Sequence, residues 1–278
     1  MLDAGGKKVT KLTSKAEPPA AGLPEGFEEF GFMLGRTRLP TDLGINRVVW
    51  NLNYDGPSVT LAGVQSWPPA AQIGPAVNPG PYTLKLTVGG KTYTQSLAVR
   101  HDPKSRTSAA ELEEQLQTAL AVRDDVTRLA RIIKQVRSLS QQITARDELL
   151  KDNHKAEPLV KLGKEVIGKL DNLESRLHNP KAKIPYDLLA QKGGAKLYSQ
   201  MNNLYYLAIG NEGTPTEGLR TVYKDYRQEL DNLEAEYNSL RDHDLARLNE
   251  LARKLDLAGV VPPTEKEPEK ESGAGQKP

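Results

Sequence analysis

Cysteine is absent from the 278 residues. Its absence excludes disulfides, thiolate metal sites and cysteine nucleophiles together. An excess of either charge is also missing: 38 Lys and Arg face 36 Asp and Glu, a formal net charge of +2. So balanced a chain offers no bulk attraction for nucleic acid or for an anionic membrane surface. No run approaches the ~20 continuous apolar residues that a membrane span needs. The opening, Met1-Leu2-Asp3-Ala4-Gly5-Gly6-Lys7-Lys8, lacks the apolar stretch of a secretory signal. The expected location is the cytoplasm for the chain as written. It is the periplasm or the exterior if the chain is a fragment of an exported parent.

The length suits two ordinary domains. Hydrophobic residues, at 37%, suffice for a core if some of the length is tail. The first hundred residues read as β structure. Gly5 to Leu12 suggests a turn leading into a strand, and residues 14–44 an irregular Pro/Gly/Ala-rich excursion carrying Phe27, Phe30 and Phe32. Over Asn46–Tyr54, Val48, Trp50, Leu52 and Tyr54 alternate, as on one face of a pleated strand. Asp55-Gly56-Pro57 breaks it. A Pro-rich loop from Trp67 to Val77 follows. The clearest hairpin joins Pro79–Val88 to Lys91–Val99 through Gly89-Gly90, which supplies the positive φ angles of a two-residue turn. A hairpin is marginal alone, so it is expected to pair with the 46–54 strand and the N-terminal one. The half-polar alternation favours an antiparallel sandwich with one wet face.

Composition changes at Asp102-Pro103. Ser108 and Glu111 form a capping box. Leu112, Leu116, Ala119, Val122, Val126, Leu129, Ile133, Val136 and Ile143 then recur at helical spacing, with a polar step at Ser140. A second helix from about Pro158 carries Leu162, Val166, Leu170, Leu173 and Leu177. A third carries Leu197, Met201, Leu204 and Ala208. A fourth is expected to open at Thr214-Pro215-Thr216-Glu217, with Thr214 as its cap, and to run to about Ala258. Short connections favour an antiparallel bundle, with the long first and fourth helices as a coiled-coil-like pair. The tail is rich in Lys, Glu, Pro and Gly and is expected to be disordered. The expected domains are 1–103, 104–259 and the tail 260–278.

Candidate chemistry is sparse. His101, His154, His178 and His243 show no metal-ligand spacing, so solvated or locally bonded histidines are expected. The densest carboxylate groups, Arg123-Asp124-Asp125 and Arg241-Asp242-His243-Asp244, read as charged helix faces. Asp244 falls where the stripe of the fourth helix calls for an apolar residue, which suggests pairing with Arg or Lys across the bundle. There is no P-loop, no G-x-G-x-x-G and no nucleophile elbow. No catalytic, cofactor-binding or metal-binding residue is assigned, and no cofactor. Tyr198, Tyr205, Tyr206, Tyr223, Tyr226 and Tyr237 read mainly as packing. Trp67, Tyr198, Tyr205 and Tyr206 are the candidates for an interaction surface.

Several separated stretches carry a resemblance. They are Leu2–Val9, Gly44–Leu52, Pro79–Tyr93, Asp102-Pro103, Met201–Tyr205 and Thr214–Gly218, in that order. Together they resemble the C-terminal region of bacterial sortilin-like proteins built on Asp-box (BNR) β-propeller repeats, often labelled glycosyl-hydrolase-like. The chain has no Asp-box repeat, so no site residue is carried over. The resemblance implies an immunoglobulin-like sandwich followed by helices. The expected fold is thus α+β and multidomain: an N-terminal immunoglobulin-like antiparallel β-sandwich, then an α-helical up-down bundle with two long helices. The expected function is a non-catalytic accessory module, with the sandwich as docking surface and the bundle as spacer or binding face. Its expected partner is a protein or a propeller domain supplied by another chain, with no nucleic acid. The alternatives are a substrate-binding part of a carbohydrate-active enzyme, and a coiled-coil scaffold forming homo-oligomers through its helices.

Overall fold

The structure, a computed structural model, describes residues 1–15, 38–59, 61, 64–66, 72–188 and 193–263. Phe27, Phe30, Phe32, Trp67 and the tail from residue 264 lie outside the described residues. The strands are β1 (Asn53–Asp55), β2 (Ile73–Ala76), β3 (Gly80–Val88) and β4 (Lys91–Val99). The helices are α1 (Ala109–Leu149), α2 (Glu157–Leu177), α3 (Leu197–Ile209), α4 (Glu217–Ser239) and α5 (Ala246–Lys254). A π-helical segment, Leu240–Leu245, joins α4 to α5. No helix among the described residues is long and apolar enough to cross a membrane.

The expected immunoglobulin-like sandwich over residues 1–103 is not what the chain forms. Among the described residues the β structure is two separate two-stranded sheets, β1-β2 and β3-β4, and the chain is mostly helical, at 52%. The reason lies at Leu52, whose φ of +57° belongs to the left-handed region. A non-glycine residue there turns the chain out of the strand. The alternating run 46–54 therefore contributes only β1, and Val49 and Leu52 stay exposed. The hairpin itself forms as expected, with Gly89 and Gly90 at φ +55° and +79° and unbroken register from Gly80↔Val99 to Val88↔Lys91. The N-terminal segment supplies one isolated bridge to it, Leu2↔Thr83, and no strand. A small core remains: Val9, Val77 and Tyr82 are buried, and Met1, Trp50, Tyr54, Leu97 and Val99 pack against them. Trp50 meets Tyr82 edge-on, with ring centroids 5.7 Å apart, a favoured aromatic geometry.

The chain divides into two compact units. The division falls inside α1, α2 and α4. The first unit comprises Met1–Ile133 and Asn172–Glu236. Its helical core buries Leu116, Ala119, Val122, Val126, Leu129 and Ile133 of α1 with Leu197, Tyr198, Met201, Leu204 and Tyr205 of α3. The capping box forms: Glu111 Oε2 accepts from both the N–H and the hydroxyl of Ser108, at 2.8 and 2.7 Å. Side-chain bonds tie the β segment to these helices. Tyr205 Oη donates to the Ile73 carbonyl at 2.9 Å, and Arg123 Nη1 to that of Asp55 at 3.2 Å. Gly74 allows β1 and β2 to close: a Cβ there would lie 2.0 Å from the Tyr54 carbonyl oxygen.

α4 starts two residues later than the sequence suggests. Thr216, not Thr214, is the cap, its Oγ1 accepting from Leu219 N at 3.2 Å.

The second unit comprises Lys134–Asp171 and Tyr237–Pro278. It buries Val136, Leu139, Ile143, Leu159, Val166 and Leu170 with Leu240, Leu245, Leu248 and Ala252. Leu240 and Leu245 are five residues apart. On a regular α-helix, at 3.6 residues per turn, that spacing would put them on different faces. The π turn absorbs the extra residue and returns Leu245 to the buried side. Asp244 is thereby displaced from the stripe and pairs with Lys169 of α2.

Candidate functional site

The residues singled out as an adhesive surface do not gather on one. Tyr198 and Tyr205 are 2% and 0% exposed, so their rings belong to the core of the first unit. Both phenols are pushed up by burial, Tyr198 to about 12. Tyr206 is half-buried, and burial raises it too. Trp67 lies outside the described residues.

A different surface emerges on the same helix. A groove of about 350 Å³ lies between α3 and α4 in the first unit. α3 contributes Gln200, Asn203, Leu204 and Leu207, at the i, i+3, i+4 and i+7 spacing of one helical face. α4 contributes Leu219, Val222 and Tyr226. Asn211 and Thr216 close the end where the helices connect, beside Gly218. Leu207 is 52% exposed and Val222 37%. The lining is thus largely apolar, from four aliphatic side chains and the Tyr226 ring, and its polar groups are three amides and the hydroxyls of Thr216 and Tyr226. No lining residue is charged, in a chain with 27% charged residues. The stripe Leu197, Met201, Leu204, Ala208 identifies the inner face of α3 but misses Leu207. The signal for it is the i+3 step from Leu204, which widens the apolar stripe past what the core covers.

The charged clusters are committed to one another. In the first unit, Asp125 is buried and accepts from Tyr223 Oη at 2.7 Å, with Arg128 and Arg227 at 3.7 and 3.8 Å. Arg128 also binds Asp231 at 2.7 Å and Glu234 through Nε at 2.8 Å. Burial and its bond to Asp125 hold the Tyr223 phenol well above the ordinary tyrosine range. The Glu234 and Asp231 bonds hold the Arg128 guanidinium charged. Through these bonds Asp125 and Arg128 of α1 tie to Tyr223, Asp231 and Glu234 of α4. His178 is buried and bonds to Glu174 at 2.7 Å, one turn back on α2.

In the second unit a larger concavity, about 660 Å³, is lined by Asp242, His243, Ala246, Arg247, Glu250, Arg253 and Lys254. All seven come from one continuous helical stretch. Bonding to Arg241 lowers Asp242, and bonding to Lys254 lowers Glu250. Both carboxylates therefore stay ionised near neutrality and have no proton to give. Deeper in this unit, Asp147 Oδ1 accepts from Arg146 Nε and Nη2 at 3.1 and 2.7 Å, with both side chains buried. No group of three or more His, Asp or Glu placed to hold a metal occurs among the described residues.

No protein-family model matches the chain, and no curated protein or solved structure matches it.

Proposed function

We propose that this chain is a non-catalytic interaction module that docks onto an Asp-box β-propeller of the sortilin-like kind, supplied by another chain. The α3–α4 groove is its contact face. The observation that carries the reading is the uncharged, largely apolar groove in an otherwise heavily charged chain. A volume of 350 Å³ takes a few side chains. Buried apolar anchors surrounded by a polar rim are the usual energetic centre of a protein interface. Gln200, Asn203 and Asn211 can bond to the main chain of a neutral, apolar segment laid along the groove. The ordered resemblance from Leu2 to Gly218 supports a propeller as the source of that segment. The pairing of charged side chains within each unit supports a binding role over a chemical one.

Affinity purification from the source organism tests this. A propeller-bearing protein is expected to co-purify with the wild-type chain and to be lost with Leu207→Asp. Leu207 is half exposed, so its substitution leaves the core intact. Recovery of no propeller protein, or equal recovery with both chains, overturns the reading.

A further inference from the structure

Strand β4 leaves one edge of its sheet unpaired among the described residues. Thr83 reveals which backbone groups line that edge. Thr83 donates its N–H to the Leu2 carbonyl and accepts from the Leu2 N–H, both at 2.9 Å. Both groups of Thr83 therefore point away from β4. Ser96 stands opposite Thr83 in the register. In an antiparallel ladder, opposed residues exchange both bonds or neither, in alternation along the strand. Ser96 accordingly points away from β3, and by alternation so do Thr92, Thr94 and Ala98. Their N–H and C=O groups line the open edge. The intervening Lys91, Tyr93, Gln95, Leu97 and Val99 share one face of the pleat.

Natural sheet edges are usually blunted by lysine, proline, a bulge or an inward charge. On β3, Pro81 and Lys85 serve that end, and Leu2 covers part of the edge. β4 has no proline and no bulge along its nine residues, and its one charge, Lys91, sits beside the turn.

We propose that β4 is a self-association edge: two copies join β4 to β4, antiparallel, about a two-fold axis through Gln95. Thr94 then meets Ser96 of the second copy, and Thr92 meets Ala98. Each such pair exchanges two main-chain hydrogen bonds. This axis alone gives every outward-facing residue an outward-facing partner. Moving it by any amount leaves at least one of the four facing nothing. The side chains agree with the same register. Tyr93, 58% exposed, comes to lie beside Leu97 of the second copy, and Lys91 beside Val99. No like charges meet. Leu86, opposite Tyr93 on β3 and 48% exposed, continues the apolar stripe. The product is a four-stranded sheet, where each copy alone has a two-stranded one of marginal stability. The contact is isologous and closes as a dimer. It rests on the β4 backbone and draws nothing from the α3–α4 groove.

Sedimentation equilibrium on the full chain tests it, using wild type, Ser96→Pro, Gln95→Lys and Gln95→Glu. The Ser96 N–H faces outward, so proline there removes no bond to β3 and blocks the edge. The wild type is expected to dimerise, and Ser96→Pro to weaken the dimer at least about tenfold. Gln95 is exposed, so charge there leaves the fold intact. Each charged variant alone places like charges at the axis and weakens the dimer by about fivefold. An equimolar mixture of the two restores a one-to-one heterodimer. A wild-type chain that stays monomeric at all concentrations overturns the proposal. So does a dimer indifferent to Ser96→Pro, or a mixture with no preference for the heterodimer.

Discussion

The side chain of Asn249 grips the main chain of Val260 on both sides: Nδ2 donates to its carbonyl at 2.8 Å, and Oδ1 accepts from its N–H at 2.7 Å. This amide substitutes for a strand partner and seats Val260, 3% exposed, in the core of the second unit. Gln142 acts in the same way on the next residue, exchanging two bonds at 3.0 Å with the backbone of Val261. The segment after α5 is thus held by side chains of α5 and α1.

Asn249→Ala is expected to cost about 1–3 kcal/mol, because it leaves a buried donor and acceptor without partners. Hydrogen exchange at the Val260 amide is the sensitive readout. The substitution should accelerate it much more than exchange in the middle of α2. Unchanged protection at Val260 would show that the segment is held by something else.

The π turn separates two adjacent residues sharply. Leu245→Ala should destabilise the chain by about 2–5 kcal/mol, the range for buried leucine truncation. Asp244→Ala should cost less than about 1 kcal/mol, since it removes only a partly exposed ion pair with Lys169. Urea titration of the two variants checks the order. A larger loss at Asp244 would place the aspartate, not the leucine, on the buried side.

Gly163 sits against the buried Arg146–Asp147 pair, where an added Cβ would approach Asp147 Oδ2 to 2.2 Å. Glycine to alanine inside a helix ordinarily stabilises by about 1 kcal/mol. Here the sign should reverse, to a loss of about 1–3 kcal/mol, as the new methyl forces the carboxylate off its arginine. A gain in denaturation midpoint for Gly163→Ala would contradict this packing.

Alkaline pH should weaken the fold. Burial pushes Tyr82 and Tyr198 up to about 12, whereas a tyrosine in the unfolded chain ionises near pH ~10. Their contribution is complete below the unfolded value. It is lost as pH rises through the folded one, because the unfolded state releases protons that the native state keeps. Denaturation midpoints for wild type and Tyr198→Phe should fall apart in slope between about pH 10 and 12, with the wild type steeper. Parallel curves would contradict the burial of that phenol.

Local features are legible in the sequence, and features set by the backbone path are not. The Ser108–Glu111 capping box and the Gly89-Gly90 turn each rest on a few adjacent residues, so sequence spacing identifies them. Asp244 was legible as an anomaly, and its basic partner could be expected. The π turn that resolves it could not, because the spacing of apolar residues over Leu240–Leu245 does not by itself distinguish an inserted residue from a polar step in a regular helix. The run Val48–Tyr54 has the alternation of a strand, yet the left-handed turn at Leu52 carries no sequence signal, and the sandwich built on that run fails with it. Tyr198 and Tyr205 have the same composition as a binding surface. Only their burial, and the bond from Tyr205 to Ile73, shows that they pack. Leu207, which lines the groove, differs from the core position Leu204 by one step of helical phase.

The proposed groove contact is tested most directly by isothermal titration of the purified chain with an Asp-box propeller protein, the class of partner proposed for it. Saturable binding is expected, weakened at least about tenfold by Leu207→Asp or Val222→Asp and unchanged by Glu250→Ala on α5. Absence of binding, or equal affinity for all four chains, would contradict it.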